Sequence, residues 1–471
     1  MIKLGVWGSA IGLFIDTISL WNHSIIFPAL SKGQVIAFAI WMVCAYDMYL
    51  LIPLILSYKN DSVLIFRLFL SGNDYRTRLI KCYKDVKEET TVNFELTKEQ
   101  QMVREMVKDF AKKEIAPYAE HVDQTGEFPL QTFKKMGELG LMGIPFPEEY
   151  GGSGGDTISY ALAVEEIGKA CGSTGLSYAA AVSLGASPLY YFGTEEQKRA
   201  HLTPLASGKA LGSFGLTEPN AGSDAGGTQT KAITNGDEYV INGEKCWITN
   251  ASYARTVIVT AVTGKNKDGK NIISALIVPT GTPGLTITSP YDKMGVRGSN
   301  TAEILLEDVR VPAGNLLGDP TKGFKQFLYT LDGGRISIAA LAVGIAQAAL
   351  EASLAYAKER KQFGQPISSF QAIQFKLADM AMEIELARQM VLKAAWLKDH
   401  NRPFTKEAAY AKLFASEMAT RACNQAIQIH GGSGYMKEYG VERMLRDAKL
   451  MEIGEGTSEI QRIVIARQLL T

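Results

Sequence analysis

The spacing of apolar and polar residues divides most of the chain into three regions of different periodicity. Residues 97–208 show helical periodicity with frequent charges and glycine-rich connectors. Residues 210–318 switch to period-two and β-branched runs separated by Gly, Asn, Asp and Pro, which predicts strands. Residues 322–470 return to long apolar-periodic helices. The clearest predicted elements are the strands 239–243, 256–262 and 272–278 and the helices 334–360, 370–400 and 406–430.

Two helical blocks on either side of a block of strands predict an α+β fold. A doubly wound sheet is excluded on pattern, because it requires strands and helices to alternate along the chain. We expect an N-terminal α-helical domain over 93–208, a central antiparallel β domain over 209–320 and a C-terminal α domain over 321–471. Residues 1–92 precede these domains as a hydrophobic extension.

The extension contains one segment that could enter a membrane. Residues 35–57 are long and apolar enough to span a bilayer as a helix, although Asp47 at the middle of the segment costs about 3 kcal/mol. A cleaved signal peptide is rejected, since Asp16 and His23 break the first apolar stretch. A membrane-associated segment and a soluble prefix are therefore two interpretations of residues 1–92.

Sequence typical of a soluble domain begins near Asn93. Thr97 and Gln100 have the spacing of a capping box, which predicts that the first helix of the fold begins there. The segment 87–89 (Lys-Glu-Glu) can be encoded by a bacterial ribosome-binding sequence shortly before Val92, and a GTG codon at residue 92 could start translation. A misassigned start, with translation beginning at Val92, is the third interpretation of the extension.

Charge and cysteine content restrict the partners and the compartment. Basic and acidic side chains number 49 each, so the formal net charge is zero and no nucleic-acid partner is expected. The five cysteines form no C-x-x-C pair and have no nearby histidine spacing, which argues against a disulfide framework and a zinc site. We expect no metal and a reducing, cytoplasmic location, with membrane association only through residues 1–57.

Two segments at the start of the β block have the chemistry to hold a flat heterocycle. Residues 214–224 (FGLTEPNAGSD) form a polar, glycine-containing turn, and residues 247–250 read WITN. An indole stacks against aromatic rings, and threonine hydroxyls and backbone amides hydrogen bond to ring nitrogens and carbonyls. From these residues alone, a capped turn and a core tryptophan remain the competing interpretation.

A carboxylate near the C-terminus has the setting of a general base. Glu455 lies between Gly454 and Gly456, which leave it without side-chain cover. An apolar ligand would desolvate this carboxylate and raise its basicity, as proton abstraction requires. The competing interpretation is a solvated pair of Glu455 and Glu459, four residues apart at a helix N-terminus, where the helix dipole favours negative charge.

Seven segments occur along the chain in a characteristic order and spacing. They are FGLTEPNAGSD (214–224), WITN (247–250), KMGVRGSNTAEILLEDVRVP (293–312), LDGGR (331–335), ERKQFGQPISSFQAIQFKLADM (359–380), QIHGGSGYMKEYGVERMLRDAK (428–449) and EGTSEIQR (455–462). Together they resemble the acyl-CoA dehydrogenase family, most closely its short-chain (butyryl-CoA) members. The resemblance runs from about Asn93 to the end, near four fifths of the chain. Each segment alone is a weak signal, and their collinearity makes a chance resemblance negligible.

The resemblance implies a specific fold, cofactor and assembly. The fold is an N-terminal α domain, a central β domain and a C-terminal four-helix domain, with FAD held between the last two. The assembly is a homotetramer, a dimer of dimers, and the electron acceptor is an electron-transferring flavoprotein. The implied reaction is α,β-dehydrogenation of short- to medium-chain acyl-CoA thioesters to trans-2-enoyl-CoA.

The resemblance also assigns site residues by position. Contacts to the isoalloxazine and ribityl portion fall to Phe214, Leu216, Thr217, Ser223, Trp247, Ile248 and Thr249. The pyrophosphate and adenosine end of an FAD bound mainly by the neighbouring subunit falls to Arg360, Gln371, Gln428, Ile429, His430, Gly431 and Gly432. Closure over the cofactor falls to Thr457, Ser458 and Glu459. Contacts to the CoA thioester fall to Ser223, Asp332, Arg335 and Gly456.

The family places its catalytic base at one of two chain positions, which here are Glu455 and Gly334. Glycine cannot accept a proton, so the resemblance implies that Glu455 removes the Cα proton while a hydride leaves Cβ for flavin N5. One departure is Gly454, where many members have tyrosine. The missing ring could widen the acyl pocket, so the preferred chain length is left open at this point.

Three functions are compatible with these assignments. The first is an FAD-dependent short- or medium-chain acyl-CoA dehydrogenase. The second is a relative with the same site, which is either a branched-chain or aryl-acyl-CoA dehydrogenase or an acyl-CoA oxidase that admits oxygen to the reduced flavin. The third is a membrane-anchored, non-enzymatic relative, against which the intact Glu455, Arg360 and Trp247 argue.

We expect residues 1–91 to be dispensable for activity, because every chemical motif lies beyond Asn93. A chain that begins with Met in place of Val92 should bind FAD and keep most of its turnover, as measured by flavin absorbance and dye reduction. Loss of FAD binding by the shortened chain would contradict this prediction. A codon for residue 92 that cannot initiate translation would exclude the misassigned start even if the truncation is tolerated.

Overall fold

The computed structural model describes residues 95–470, and the structural statements below concern this part of the chain. Residues 1–92, with the candidate membrane span 35–57 and the candidate start at Val92, lie outside the described residues. Their three interpretations therefore stay predictions.

The N-terminal region is helical, and its first helix begins where the capping box predicts. The Gln100 N–H donates to Thr97 Oγ1 at 3.2 Å, and the Thr97 N–H donates to Gln100 Oε1 at 3.0 Å. Residues Ala180–Ala186 continue the fifth helix as a π-helical segment. The helices are α1 (Lys98–Glu114), α2 (Ala119–Thr125), α3 (Leu130–Glu138), α4 (Thr157–Ala170), α5 (Gly172–Ala179), α6 (Ser187–Phe192), α7 (Glu195–Gln197) and α8 (Thr203–Ala206).

The middle region is a single, mainly antiparallel sheet. Its strands are β1 (Leu211–Gly215), β2 (Lys231–Asn235), β3 (Glu238–Thr249), β4 (Ala254–Lys265), β5 (Asn271–Pro279), β6 (Leu285–Ile287), β7 (Thr301–Pro312) and β8 (Leu316–Leu317). Their order across the sheet is β6-β7-β3-β2-β4-β5-β8, and β1 pairs with β4. β1 runs parallel to β4, and β2 also pairs with β4 in parallel, whereas the other pairs are antiparallel.

Both faces of the central strands are buried. Ile258 and Ile277 face the large helical core, whereas Val257, Val259 and Val278 face a second core within the β region. Alternate side chains of a strand point to opposite faces, so a strand between two cores is apolar at nearly every position. This explains the apolar run 257–259 and the burial of residues 256–261 in β4.

The C-terminal region returns to helices. They are α9 (Gly323–Glu359), α10 (Gln371–Asp399), α11 (Thr405–His430), α12 (Val441–Met451) and α13 (Ser458–Leu470). Helix α11 packs against α9, α10 and α12, and α13 packs on α11. A short two-stranded ribbon, β9 (Lys361–Gln362) with β10 (Gln365–Pro366), joins α9 to α10.

Helix α9 is the central element and is longer than predicted. It begins at Gly323 instead of residue 334, and Gly323 packs directly on β5, where an added Cβ would lie 2.5 Å from backbone atoms of Ser274 and Ala275. Among the described helices, α9 is the one long and apolar enough to cross a membrane, and 67% of its most apolar window is buried inside the protein. It is therefore a core helix, and the α+β architecture predicted from the sequence is confirmed.

Candidate active site

A cavity of about 400 Å³ opens where the three regions meet. Its walls come from α5 with the π-helical segment, from β1, β3 and the loops after them, from α9, and from the chain between α12 and α13. Most of its lining is apolar, with a small number of polar groups, as is usual for sites that bind organic ligands. The lining includes Leu176, Ala180, Leu184, Phe214, Leu216, Thr217, Ser223, Trp247, Ile248, Thr249, Lys293, Arg335, Ile338, Gly454, Glu455, Gly456 and Thr457.

Glu455 lies on a strained turn between α12 and α13. Its backbone φ is +54°, and that of Gly456 is +94°. A left-handed conformation is uncommon for a residue other than glycine, and such strain persists only where the surrounding structure holds it. Here the Gln461 side chain donates to the Glu455 and Gly456 carbonyls at 3.2 and 2.9 Å, and the Lys412 ammonium donates to the Gly456 carbonyl at 2.7 Å.

The Glu455 carboxyl lines the cavity without a hydrogen-bond partner on its buried oxygen. Oε2 is buried and unpaired within the described residues. Desolvation raises the pKa of Glu455 to about 7, although the charges of Lys412 and Arg335 act in the opposite direction. A carboxyl with this pKa is ionised in a substantial fraction of molecules near neutral pH and still basic enough to accept a proton.

Gly334 forms the floor beneath this carboxyl. An added Cβ at Gly334 would lie 2.8 Å from Glu455 Cδ, closer still to Oε2, and 3.0 Å from a methyl group of Leu184. The two chain positions at which the resemblance allows a base are therefore in contact in space. A side chain at residue 334 and the observed position of Glu455 exclude each other.

The alternative interpretation of Glu455 is wrong. Glu459 is exposed in the first turn of α13, but α13 begins only at Ser458, so Glu455 and Glu459 do not share one helix. Hydrogen bonding, mainly to its own backbone N–H, lowers the pKa of Glu459, as expected for an exposed carboxylate at a helix N-terminus. Of these two carboxylates, Glu455 lines the cavity and Glu459 does not.

Trp247 is not a core tryptophan. Its φ is +58° and its side chain is 61% exposed, because the β3–β7 register shifts between Lys245 and Ile248 and turns the indole toward the cavity. Such bulges redirect side chains at binding sites. Ser213 Oγ donates to the Thr249 carbonyl at 2.9 Å, which links the residue before the 214–224 segment to the 247–250 segment.

A buried ion pair that sequence reasoning missed supports the 214–224 segment. Lys245 Nζ lies 2.6 Å from Glu218 Oε1 and donates to the Leu216 carbonyl at 3.2 Å. Glu218 also accepts from the backbone N–H of Gln229 at 2.6 Å. Both charged side chains are buried, so their role is to shape the turn that carries Leu216 and Thr217 into the cavity wall. The single signal in the sequence was a lysine within an otherwise alternating strand.

Arg335 and Asp332 form a buried pair on α9. Arg335 Nη1 donates to Asp332 Oδ1 at 2.5 Å, and Thr405 Oγ1 donates to the other Asp332 oxygen at 2.7 Å. Arg335 lines the cavity and its buried Nε has no partner among the described residues, whereas Asp332 lies behind it. Asp332 therefore orients Arg335, and the predicted direct contact of Asp332 with a thioester stays untested.

The structure places the other predicted cofactor residues outside this cavity. Ser458 is buried and Glu459 exposed at the start of α13, beside the cavity residue Thr457. The rest lie at the ends of α9, α10 and α11, where the His430 ring stacks on Tyr356 at 4.3 Å and Ile429 is buried. The exposed residues there are Arg360, Gln371, Gln428, Gly431 and Gly432.

Sequence reasoning also missed the helical wall of the cavity and Lys412. This wall is formed by α5 and the π-helical segment, which contribute Leu176, Ala180 and Leu184. A π-helical segment is common at functional sites, but it leaves no simple periodic signal in the sequence. Lys412 is fully buried among the alanines of α11. A lysine on the apolar face of a predicted helix was the available signal. Within residues 95–470, no group of three His, Cys, Asp or Glu side chains could hold a metal ion.

Comparison with known proteins identifies the class. Residues 97–209, 213–309 and 321–470 match the N-terminal, middle and C-terminal domains of acyl-CoA dehydrogenase, respectively. The chain belongs to the acyl-CoA dehydrogenase family, as its motifs indicated.

Individual relatives are similar over the same four fifths of the chain. A probable acyl-CoA dehydrogenase of Bacillus subtilis, YngJ, is 97% identical over 379 residues, which cover 80% of this chain and all of that protein. The short-chain specific acyl-CoA dehydrogenase of Clostridium acetobutylicum is 50% identical over 378 residues, again 80% of this chain and all of the relative. The solved butyryl-CoA dehydrogenase of Megasphaera elsdenii superposes with a TM-score of 0.79 at 48% identity, covering 81% of this chain and all of that one.

Proposed function

We propose that this acyl-CoA dehydrogenase converts short- to medium-chain acyl-CoA thioesters to trans-2-enoyl-CoA, with FAD as cofactor and Glu455 as the base. The observation that carries the proposal is the Glu455 carboxyl at the wall of an apolar cavity, whose Oε2 is buried and unpaired and whose pKa is raised by desolvation to about 7. The short-chain specific and butyryl-CoA relatives support the substrate class.

The cavity fits a flavin. An exposed indole at Trp247 and hydroxyls of Thr217 and Thr249 offer stacking and hydrogen bonds, and an added Cβ at Gly222 would meet nothing within 4 Å. A related acyl-CoA dehydrogenase of Bacillus anthracis, 37% identical, was solved in complex with FAD. When bound, FAD supplies the acceptor for the hydride that leaves Cβ of the acyl group.

The chain's own residues supply the proton chemistry. Glu455 accepts the Cα proton on its carboxylate, and its strained turn keeps the carboxyl at the cavity wall before substrate arrives. The acidity of a Cα proton beside a thioester is low, so a base with a raised pKa in a water-poor site is needed. Arg335, oriented by Asp332, places a positive charge at the same wall.

The proposal is tested by anaerobic titration of the purified full-length protein. The protein should carry FAD, seen as absorbance near the flavin maximum, and butyryl-CoA should bleach it without any added acceptor. A protein that purifies with FAD but is bleached by none of a panel of acyl-CoA thioesters would contradict the proposed reaction. Oxygen consumption that matches enoyl-CoA formation would identify an oxidase, and selective bleaching by branched thioesters would identify a branched-chain enzyme.

We predict the highest specificity constant for straight acyl chains of about four to eight carbons, since each buried CH₂ contributes about 0.8 kcal/mol only while the pocket has depth. Leu184 and Ile338 bound the cavity, and Gly454 leaves space beside Leu450, 3.6–4.0 Å from an added Cβ. The measurement is kcat/KM across a series from butyryl-CoA to palmitoyl-CoA. A higher kcat/KM for palmitoyl-CoA than for both butyryl-CoA and octanoyl-CoA would refute the short-chain assignment.

We further propose a homotetramer in which the neighbouring subunit completes the FAD site. Three of the residues predicted to bind the pyrophosphate and adenosine are exposed and lie outside the cavity, namely Arg360, Gln371 and Gln428. They are therefore accessible to an FAD that is bound mainly by a neighbouring subunit. Phe363 and Tyr435 are 92% and 81% exposed at the same ends of the helices, an apolar surface suited to a subunit contact. Light scattering measures the assembly, and a monomer with full FAD content would exclude the shared site.

The electron acceptor and the location follow from the same assignment. An electron-transferring flavoprotein is the proposed acceptor, and a similar solved chain, 49% identical, comes from work on the electron transferring flavoprotein of Acidaminococcus fermentans. The bacterial relatives support a cytoplasmic location. Reduction of purified electron-transferring flavoprotein by the protein and butyryl-CoA tests the first proposal, and fractionation of cells tests the second.

A further inference from the structure

A buried lysine contacts the turn that carries Glu455 through a hydrogen bond to a backbone carbonyl. Lys412 is fully buried in α11, and its ammonium donates to the Gly456 carbonyl at 2.7 Å. Within residues 95–470, no carboxylate forms an ion pair with it, in contrast to Lys245, the other fully buried lysine, which is paired with Glu218. Burying an ammonium without a counter-ion is costly, so such a residue requires a compensating interaction.

The charged groups around Lys412 single out Glu455 as that compensation. Glu452 and Glu417 also face Lys412, but Glu452 is engaged by Thr420 and Lys449, and Glu417 by Arg462. Glu455 is the carboxyl without a partner. Burial lowers the pKa of Lys412 to about 8, and the charge of Glu455 is the largest influence that opposes this effect.

Two other groups face Glu455 from the neighbouring helices. Arg335 on α9 also favours the ionised carboxyl, and Tyr160 on α4 interacts with it electrostatically. Arg335 is already paired with Asp332, so its charge is partly neutralised where it lies. Lys412 has no such partner, and its charge lowers the pKa of Glu455 more than the charge of Arg335 does.

We propose that Lys412 is a positioning residue for the reaction, which holds the Glu455–Gly456 turn through the Gly456 carbonyl and keeps the Glu455 carboxyl ionised by its unpaired positive charge. The inference rests on the proposed function of Glu455 as base. Proton transfer to Glu455 removes the negative charge beside Lys412, so the lysine favours the reactive, ionised state of the base over the protonated one. Gln461, which is fully buried and donates to the same carbonyl at 2.9 Å, shares the first role but not the second.

The two roles separate in the pH dependence of flavin reduction. Proton abstraction needs the carboxylate, so the rate of reduction at saturating butyryl-CoA rises with pH through the pKa of Glu455. Lys412→Met removes an opposite charge, and we expect it to move the midpoint of this rise upward by about one unit or more. Lys412→Gln, which is neutral but can hydrogen bond, should shift the midpoint similarly, and Lys412→Arg should leave it near the wild-type value.

A matched control removes the hydrogen bond without a charge. Gln461→Met should slow reduction and leave the midpoint unchanged, because it loosens the turn and alters no charge. The same titration can be followed without turnover, as the difference in Tm between each background and its Glu455→Gln derivative. Because the pKa of Glu455 is raised above its ordinary value of 4.5, ionisation of Glu455 destabilises the fold. The gain in Tm from Glu455→Gln therefore grows as pH rises toward 7. In the Lys412→Met background we expect this gain in Tm to continue growing at higher pH, because the pKa of Glu455 is higher there.

The outcomes distinguish this inference from the proposed function. An upward midpoint shift in the neutral variants, with a normal midpoint in Lys412→Arg, supports the role of Lys412. An unchanged midpoint in folded, FAD-loaded Lys412→Met and Lys412→Gln overturns it, and so does loss of FAD binding in both, which would make the lysine a folding residue. Absence of reduction in the wild-type protein contradicts the proposed function instead.

Discussion

Replacement of Glu455 by Gln is expected to abolish reduction of bound flavin by acyl-CoA substrates while leaving FAD binding and assembly intact. Glutamine keeps the shape and the polar contacts of the side chain but cannot accept the Cα proton. Loss of a positioned general base costs about 10²- to 10⁴-fold in rate, and coupling of proton removal to hydride loss places this variant at the upper end. Among the described residues that line the cavity, Glu455 has the only carboxylate, so no neighbour can replace it.

The measurement is the rate of anaerobic flavin bleaching by butyryl-CoA, which isolates substrate oxidation from the electron acceptor. Glu351→Gln provides a matched control, because it makes the same chemical change on the exposed side of α9, where Glu351 pairs with Lys169 at the surface. The side chains of Glu351 and Lys169 are 47% and 25% exposed, so water screens this pair and its loss should cost little stability. Bleaching of Glu455→Gln within tenfold of the wild-type rate would show that another group is the base.

Gly334→Ala is expected to reduce the rate of flavin reduction by about 10²-fold although it adds a single methyl group at a helix position, since a 1 Å misplacement of a reacting group can cost that much. The new Cβ would lie 2.8 Å from Glu455 Cδ and closer to its oxygen. The carboxyl is the flexible end of a side chain, so it moves away and the fold is retained. Activity therefore falls through the position of the base, with FAD content preserved.

Gly333→Ala is the matched control for this prediction. Gly333 is also buried in α9, but an added Cβ there would meet only the flexible Lys398 ammonium, at 3.1 Å. Replacing a glycine in a helix interior by alanine stabilises the helix by about 0.5–1 kcal/mol where the added Cβ has space, so the Tm of Gly333→Ala should not fall. A rate of flavin reduction for Gly334→Ala equal to that of Gly333→Ala would mean that residue 334 does not set the position of Glu455.

Local sequence signals predicted the elements that local interactions form. The Thr97–Gln100 capping box depends on residues three positions apart, and it occurs as predicted. The change from helical to period-two spacing and back placed the β region between the helical regions, and the collinear motifs identified the family and predicted Glu455 as the base. Helix α9 shows the limit of this approach, because its first eleven residues lie before the periodic pattern that predicted the helix, and the close packing of Gly323 on β5 is visible only in the structure.

The chemistry of the site was decided by contacts between residues distant in sequence. A register shift against β7 turns Trp247 from the core to the cavity, and the approach of α9 places Gly334 under Glu455, 121 positions along the chain in this numbering. The buried Lys412 and the Lys245–Glu218 pair are likewise visible only where separate elements meet. Periodicity and motifs report which residues share a face or a turn. The burial that raises the pKa of Glu455, and the charges that oppose that rise, exist only once α9, α11 and the turn before α13 are packed together, because desolvation and Coulomb interactions depend on distance in space.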